Sequence, residues 1–166
     1  MFHKVSTSSE IIEVVNIARE IWREHYPPII GIEQVEYMLE HFHSKDAITI
    51  ELSQENYAYY LIKNHNNKII GYIGIQLKGD YLFLSKIYIL SSERGNGVGK
   101  ASMNFIKDLA QKNKMNKISL TVNKNNTESI TAYYRLGFIK TGDVCVDIGG
   151  GYEMDDFQME LNLGNL

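Results

Sequence analysis

The sequence predicts a mixed α/β (α+β) domain around a central sheet, with helices ahead of most of the strands and further helices between the later ones. Three observations predict it. Residues 7–54 carry apolar side chains at three- and four-residue spacing. Residues 57–90 change to short apolar runs separated by turn-forming residues. Residues 98–113 return to the helical period before the last strand-like segments. With 166 residues, 44% of them apolar, one domain over residues 1–166 with a core of its own is expected.

The elements follow in order. Residues 2–6 suit a short strand. "TSSE" (Thr7 to Glu10) reads as a capping box opening a helix with Ile11, Val15, Ala18 and Trp22 on one face. "YPP" at 26–28 stops it, because proline lacks the N–H that would continue the ladder. A second helix over 31–43 turns Ile32, Val35, Leu39 and Phe42 inward, and a weaker third occupies 45–54. "YAYYLIKN" (57–64) and "KIIGYIGIQL" (68–77), joined by "HNN", form a hairpin, which "YLFLSKIYIL" (81–90) extends after "KGD". Val98, Ala101, Phe105 and Leu109 mark an amphipathic helix, "KISLTV" (117–122) a strand, and 127–136 a short helix capped by Asn126 or Thr127. "GFIKTGDVCVDI" and "YEMDDFQMEL" are the last two strands. The segments contain no internal repeat, low-complexity tract or linker.

Bulk properties exclude several classes. Seventeen basic against twenty acidic residues give a formal charge of −3, so no broad nucleic-acid footprint is expected. Cys145 is the single cysteine, which rules out an intrachain disulfide and suits a reducing compartment. The first residues, "MFHKVSTSSEIIEVV", lack a basic start and an apolar signal core, and no segment is apolar for the length of a membrane span. A soluble, cytoplasmic protein without membrane contact is expected. His41 and His43 are spaced i, i+2 and share no helix face. No cysteine–histidine spacing matches a metal site, and no metal is expected.

The most informative stretch is "SSERGNGVGKASMNF" (91–105), with Gly95, Gly97 and Gly99 where a strand gives way to a helix. Glycine there costs chain entropy but clears side chains from a helix N-terminus, whose orphan N–H groups and dipole favour anions. The P-loop pattern fails, because Arg94 stands at its first glycine and Ala101 at its Ser/Thr. The dinucleotide pattern fails too, with Lys100 where its third glycine belongs.

What fits is R-G-x-G-[IV]-G, and here the chain resembles the GNAT superfamily of acetyl-CoA-dependent N-acetyltransferases. "RGNGVG" directly follows the strand "KIYIL", and "NNTESITAYYRLGF" (125–138) is similar to the family's N-x-x-[AS]-I-x-x-Y-x-x-x-G-F, with Asn126, Ser129, Tyr133, Gly137 and Phe138 at its marked positions. The resemblance implies a single GNAT-like domain, a central mixed, mostly antiparallel sheet flanked by helices, and acetyl-CoA as cosubstrate. It implies a pyrophosphate cradle on Arg94, Gly95, Asn96, Gly97, Val98, Gly99 and Lys100. Backbone pairing of the pantetheine arm falls on Ile87, Tyr88 and Ile89, and a contact to that arm on Asn126. Arg135 either reaches a CoA phosphate or is merely solvated. Tyr133 is similar to the family's tyrosine acid, and its alternative is a packing tyrosine beside Tyr134.

An amine must be neutral to attack a thioester, and a free alkylammonium has a pKa of about 10, so a base or a water chain must help. Many GNAT members carry a glutamate on the strand before the glycine loop. Here "YLFLSKIYIL" offers only Ser85 and Lys86. Glu24, His25, Tyr26, Asp155 and Asp156 are the candidates for that role and for the acceptor wall. The wall segments, residues 22–34 and 147–157, are acidic and suit a cationic amine such as a polyamine or a lysine side chain, and the 125–138 segment also resembles the bacterial polyamine acetyltransferases of the superfamily. Two readings stand beside acetylation of a small molecule: an acyl-CoA-sensing module without turnover, and an acetyltransferase of proteins or peptides. A homodimer through the C-terminal strands is a further open alternative.

Overall fold

The capping box at Thr7 forms as the letters require. Its hydroxyl accepts from the Glu10 N–H at 3.2 Å, and the Glu10 carboxylate accepts from the Thr7 N–H at 2.9 Å. The computed structural model describes residues 1–164. In it a strand β1 (Phe2–Lys4) precedes helix α1 (Ser8–His25), whose Val14, Ala18, Ile21 and Trp22 are buried. The Tyr26 N–H closes α1 on the Trp22 carbonyl at 3.1 Å. The two prolines then open a one-turn helix, α2 (Pro27–Ile30), where a missing N–H costs nothing.

Helices α3 (Ile32–Phe42) and α4 (Lys45–Ser53) follow, the latter capped by the Ser44 hydroxyl on the Ala47 N–H at 3.1 Å. One expectation is corrected here. Val35 and Leu39 are buried, but Ile32 is 52% exposed and Phe42 36% exposed. Both lie in the end turns of an eleven-residue helix, and burial is confined to its middle, where Met38 joins the inward face.

The strands are β2 (Tyr57–Lys63), β3 (Ile69–Lys78), β4 (Tyr81–Ile89), β5 (Lys117–Asn123), β6 (Ile139–Gly149) and β7 (Tyr152–Asn162). Helix α5 (Val98–Lys112) lies between β4 and β5, and α6 (Thr127–Arg135) between β5 and β6. The sheet order is β1-β2-β3-β4-β5-β7-β6, with β4 and β5 parallel and β1/β2, β2/β3, β5/β7 and β6/β7 antiparallel. Fold class and strand assignment thus agree with the sequence reading.

Two compact units are built from these elements. The first comprises residues 1–76 and 86–105. On one sheet face Tyr59, Leu61 and Tyr72 are fully buried, and on the other Phe105 stacks on Phe2 at 4.4 Å and meets Tyr60 edge-on at 5.0 Å. The second comprises, among the described residues, 77–85 and 106–164. Ile106, Ala110, Ile118, Phe138 and Met159 form its interior. Among the described residues no helix is long and apolar enough to cross a membrane.

Candidate functional site

In the first unit, β4 ends against β3 with the Leu90 N–H on the Ile70 carbonyl at 2.9 Å. A 3-10 turn, Ser91–Glu93, then leads into the glycine stretch. Gly95 and Gly97 have φ of +81° and +80°, a region that only glycine occupies without strain. A Cβ added at Gly95, Gly97 or Gly99 would meet nothing within 4 Å. The Gly97 carbonyl accepts the first bond of α5 from Ala101 at 2.9 Å, and Val98, 7% exposed, pins the helix start. The N–H groups of that first turn have no acceptor within the helix, and the glycines before and within it leave open the space that their side chains would take. This arrangement fits a phosphate group.

The strand that feeds the turn is held from several directions. Burial alternates along β4 as far as Lys86 and then stops, leaving Ile87, Tyr88 and Ile89 half-buried. The ladder from β4 to β5 runs over Tyr81–Phe83. Since the Leu90 N–H points to β3, the Ile89 main-chain groups face the other edge, and there the Ile89 carbonyl accepts from Arg94 Nε at 3.3 Å and Nη2 at 3.2 Å. The Tyr88 ring packs against Trp22 and Tyr72, each at 5.3 Å, and against Tyr26 and His43 at 6.1 and 6.2 Å. Glu24 Oε1 accepts from the Ser91 N–H at 2.8 Å, and His25 meets Tyr26 edge-on. Glu24, His25 and Tyr26, predicted to line the acceptor site, therefore sit together with Ile87–Ile89 and the glycine turn in one unit.

Beneath this strand lies a polar network that sequence reasoning missed. The Trp22 indole can only donate, so the Tyr72 oxygen accepts from it at 3.0 Å. The Tyr72 hydroxyl also lies within hydrogen-bond distance of His43 Nδ1, at 3.1 Å. Burial, with a smaller effect from the Lys86 charge, holds His43 well below the usual imidazole range, and burial pushes the Tyr72 phenol well up. Next to it, Lys86 Nζ bonds both Glu51 oxygens at 3.2 and 3.0 Å and the Tyr57 hydroxyl at 3.3 Å, and lies over the Tyr59 ring at 5.2 Å. The Tyr59 hydroxyl donates to Glu51 at 2.9 Å. Burial lowers the Lys86 pKa against the pull of Glu51. The strand without a carboxylate of its own is thus given one by α4. The sequence signal was a lysine at an inward-facing strand position, which requires an anionic partner.

In the second unit, Asn126 caps α6, its Oδ1 accepting from the Ser129 N–H at 3.5 Å, and it is 3% exposed. The spacing Tyr133-x-x-x-Gly137-Phe138 has a local structural cause. The Phe138 N–H reaches the Tyr133 carbonyl and the Gly137 N–H the Tyr134 carbonyl, each at 3.0 Å, with Gly137 at φ +101°. This is a Schellman ending, and its accompanying apolar contact is the half-buried Tyr133 ring on Phe138 at 5.6 Å. On β7, Asp155 is exposed and pairs with Lys124 at 2.9 Å. Asp156 is 5% exposed, and burial pushes its carboxyl up to about 6 while a Thr121 hydrogen bond opposes the shift. The two acids point to opposite faces of the strand and have different environments. Among the described residues no cluster of three or more His, Cys, Asp or Glu could hold a metal.

Comparisons with known proteins follow the same segments. A model of the acetyltransferase (GNAT) family matches residues 14–138, which include both the glycine turn and the α6 segment. UPF0157 protein YqkA of Bacillus subtilis (strain 168) is 29% identical over 134 residues, 77% of this chain and 36% of that protein, so the chain spans about a third of that relative's length. A spermidine N(1)-acetyltransferase of Thermoplasma acidophilum is 23% identical over 128 residues, 75% of this chain and 80% of that protein. The crystal structure of a PaiA N-acetyltransferase from Thermoplasma acidophilum in complex with coenzyme A superposes with a TM-score of 0.78, at 20% identity and 98% coverage of both chains, a likeness of fold.

Proposed function

The chain belongs to the GNAT acetyltransferase family, and on that premise we propose that it transfers an acetyl group from acetyl-CoA to the primary amine of a small, cationic molecule by direct attack within a ternary complex. The observation that carries this reading is the glycine turn: main chain at positive φ at Gly95 and Gly97, and open space where side chains would be, at the start of α5.

Each residue has a part in that reading. The amides from Gly95 to Lys100 hold the pyrophosphate, with Arg94 and Lys100 supplying positive charge. The outer edge of Ile87, Tyr88 and Ile89 binds the pantetheine arm, the Arg94 guanidinium exchanging its bond to Ile89 for one to phosphate. Asn126 contacts the same arm. Acetyl-CoA, when bound, supplies the thioester carbonyl that an amine attacks. Tyr133 holds a proton on its phenol oxygen for the thiolate that leaves. Asp156, with its pKa at about 6, is ionised at neutral pH and able to take the ammonium proton. The carboxylates of β7, Glu153 and Asp155, make the acceptor wall acidic, which favours a polyamine-like cation. The relative that acts on spermidine supports this acceptor class.

Calorimetric titration with coenzyme A, acetyl-CoA and ATP tests the reading, together with turnover assays on spermidine, amino acids and lysyl peptides. Binding of both coenzyme A forms over ATP is expected, as is its loss in Gly97→Val, which places a branched side chain at φ +80°. A preference for ATP, or unchanged affinity in Gly97→Val, refutes it. Tight coenzyme A binding with no turnover on any amine would identify a sensor.

A further inference from the structure

We propose that Glu24 is a positioning residue for the cofactor turn, acting through the Ser91 amide. The claim rests on reading the glycine stretch as that turn, and it assigns Glu24 a task other than lining the acceptor site.

The turn between strand and helix is long and poorly anchored. Leu90, 3% exposed, and Val98, 7% exposed, are its buried ends, and Ser91, Ser92, Arg94, Gly95, Asn96 and Gly97 between them are exposed. The 3-10 turn Ser91–Glu93 closes on its own carbonyls at Glu93 and Arg94, but its N-terminus has no capping side chain from its own sequence. The Ser91 N–H is the orphan donor there. Glu24 fills that place from the end of α1, 67 residues earlier in the chain, at 2.8 Å.

The other side-chain tie is Arg94 on the Ile89 carbonyl. In the functional reading Arg94 gives that bond up to phosphate, whereas the Glu24 bond to the Ser91 N–H persists when ligand binds. Its anchorage is firm: Trp22 is buried two residues before it, and Tyr26, buried two residues after it, stacks on Trp22 at 4.2 Å. Both rings also touch Tyr88 on the strand that leads into the turn. The α1 end therefore fixes the strand through apolar contact and the turn through one charged hydrogen bond.

A carboxylate near an anion-binding turn is unfavourable as a charge and useful only as an acceptor. Glutamine keeps the acceptor and removes the charge, which separates positioning from electrostatics. Glu24→Ala and Glu24→Gln are to be compared with the parent in three readouts: coenzyme A affinity by calorimetry, hydrogen exchange of the Ser91–Gly99 amides, and acceptor KM. In Glu24→Ala we expect coenzyme A to bind about fivefold to tenfold more weakly, the loss of one exposed charged hydrogen bond. The 91–99 amides should exchange faster, and acceptor KM should not change. Glu24→Gln should restore parental exchange and an affinity equal to or above the parent's. Parental exchange in Glu24→Ala overturns the proposal, as does a raised acceptor KM with unchanged coenzyme A affinity. If the parent binds no coenzyme A, the functional reading falls, and the exchange comparison still decides what Glu24 does.

Discussion

Replacing Gly71 with alanine tests how tightly the outer end of β4 is set. An added Cβ at Gly71 would lie 2.3 Å from the Tyr88 carbonyl oxygen and 3.2 Å from Ile89 Cα, both backbone atoms that cannot rotate away. Ordinary contact begins near 3.4 Å, so the outer end of β4 must withdraw by about 1 Å. Overpacking of that kind costs about 1–3 kcal/mol, and weakening the Leu90–Ile70 hydrogen bond beside it adds about 1 kcal/mol. Gly74 on the same strand is the control. Its added Cβ would meet Lys86 Cβ at 3.4 Å and the Tyr59 ring at 3.5 Å, ordinary van der Waals distances. There the reduced freedom of the unfolded chain makes alanine neutral or stabilising by about 0.5 kcal/mol. Urea unfolding of the two variants should separate them by about 2–4 kcal/mol, and coenzyme A affinity should fall in Gly71→Ala alone. A difference below about 0.5 kcal/mol, with equal affinities, would show that β4 yields freely and that the close approach of β3 does not position it.

Two more outcomes follow from the buried groups. Tyr72→Phe leaves the Trp22 indole N–H and His43 Nδ1 without their shared partner inside the core, a loss of about 1–3 kcal/mol measurable by urea unfolding; stability equal to the parent would mean that water or another group replaces the hydroxyl. For Asp156 the folded pKa of about 6 lies above the unfolded value of 3.8, so the fold binds the proton more tightly. Its contribution is fully present below about pH 4, is lost as pH rises through 6, and stays lost above. Asp156→Asn should therefore raise Tm at pH 7.5 relative to the parent and give no gain at pH 4, and an identical pH dependence in the two proteins would contradict the buried-carboxylate assignment.

Much of this fold is written in local patterns. The Thr7–Glu10 box, the two prolines after Tyr26 and the asparagine before α6 act within four residues of themselves, and each forms as read. Ile32 and Phe42 show the limit: periodicity gives the direction of a side chain but not whether anything packs over the helix end. The glycine turn was legible because three glycines between strand and helix have few other uses. The network around Tyr72, His43, Glu51 and Lys86 was not, since its members come from the cap after α3, from α4, β3 and β4, and meet only through tertiary packing. The same holds for Glu24, which as a letter looks like any acidic residue at a helix end. Tyr133 illustrates a different case, in which one motif has two sufficient causes. Its spacing to Gly137 and Phe138 ends a helix in a standard way whether or not the phenol ever gives up a proton.

The placement of β6 has a consequence for handling the molecule. It is an edge strand, eleven residues long, with Ile139 and Val146 largely uncovered and, among the described residues, one rim of peptide groups unclaimed by any other strand of its sheet. Such a rim is a template for aggregation unless docking there is made costly. Lys140, Asp143 and Asp147 stand along it and would have to shed water before a stranger's backbone could add on. Neutralising those three side chains should turn a well-behaved solution into one that clouds on standing.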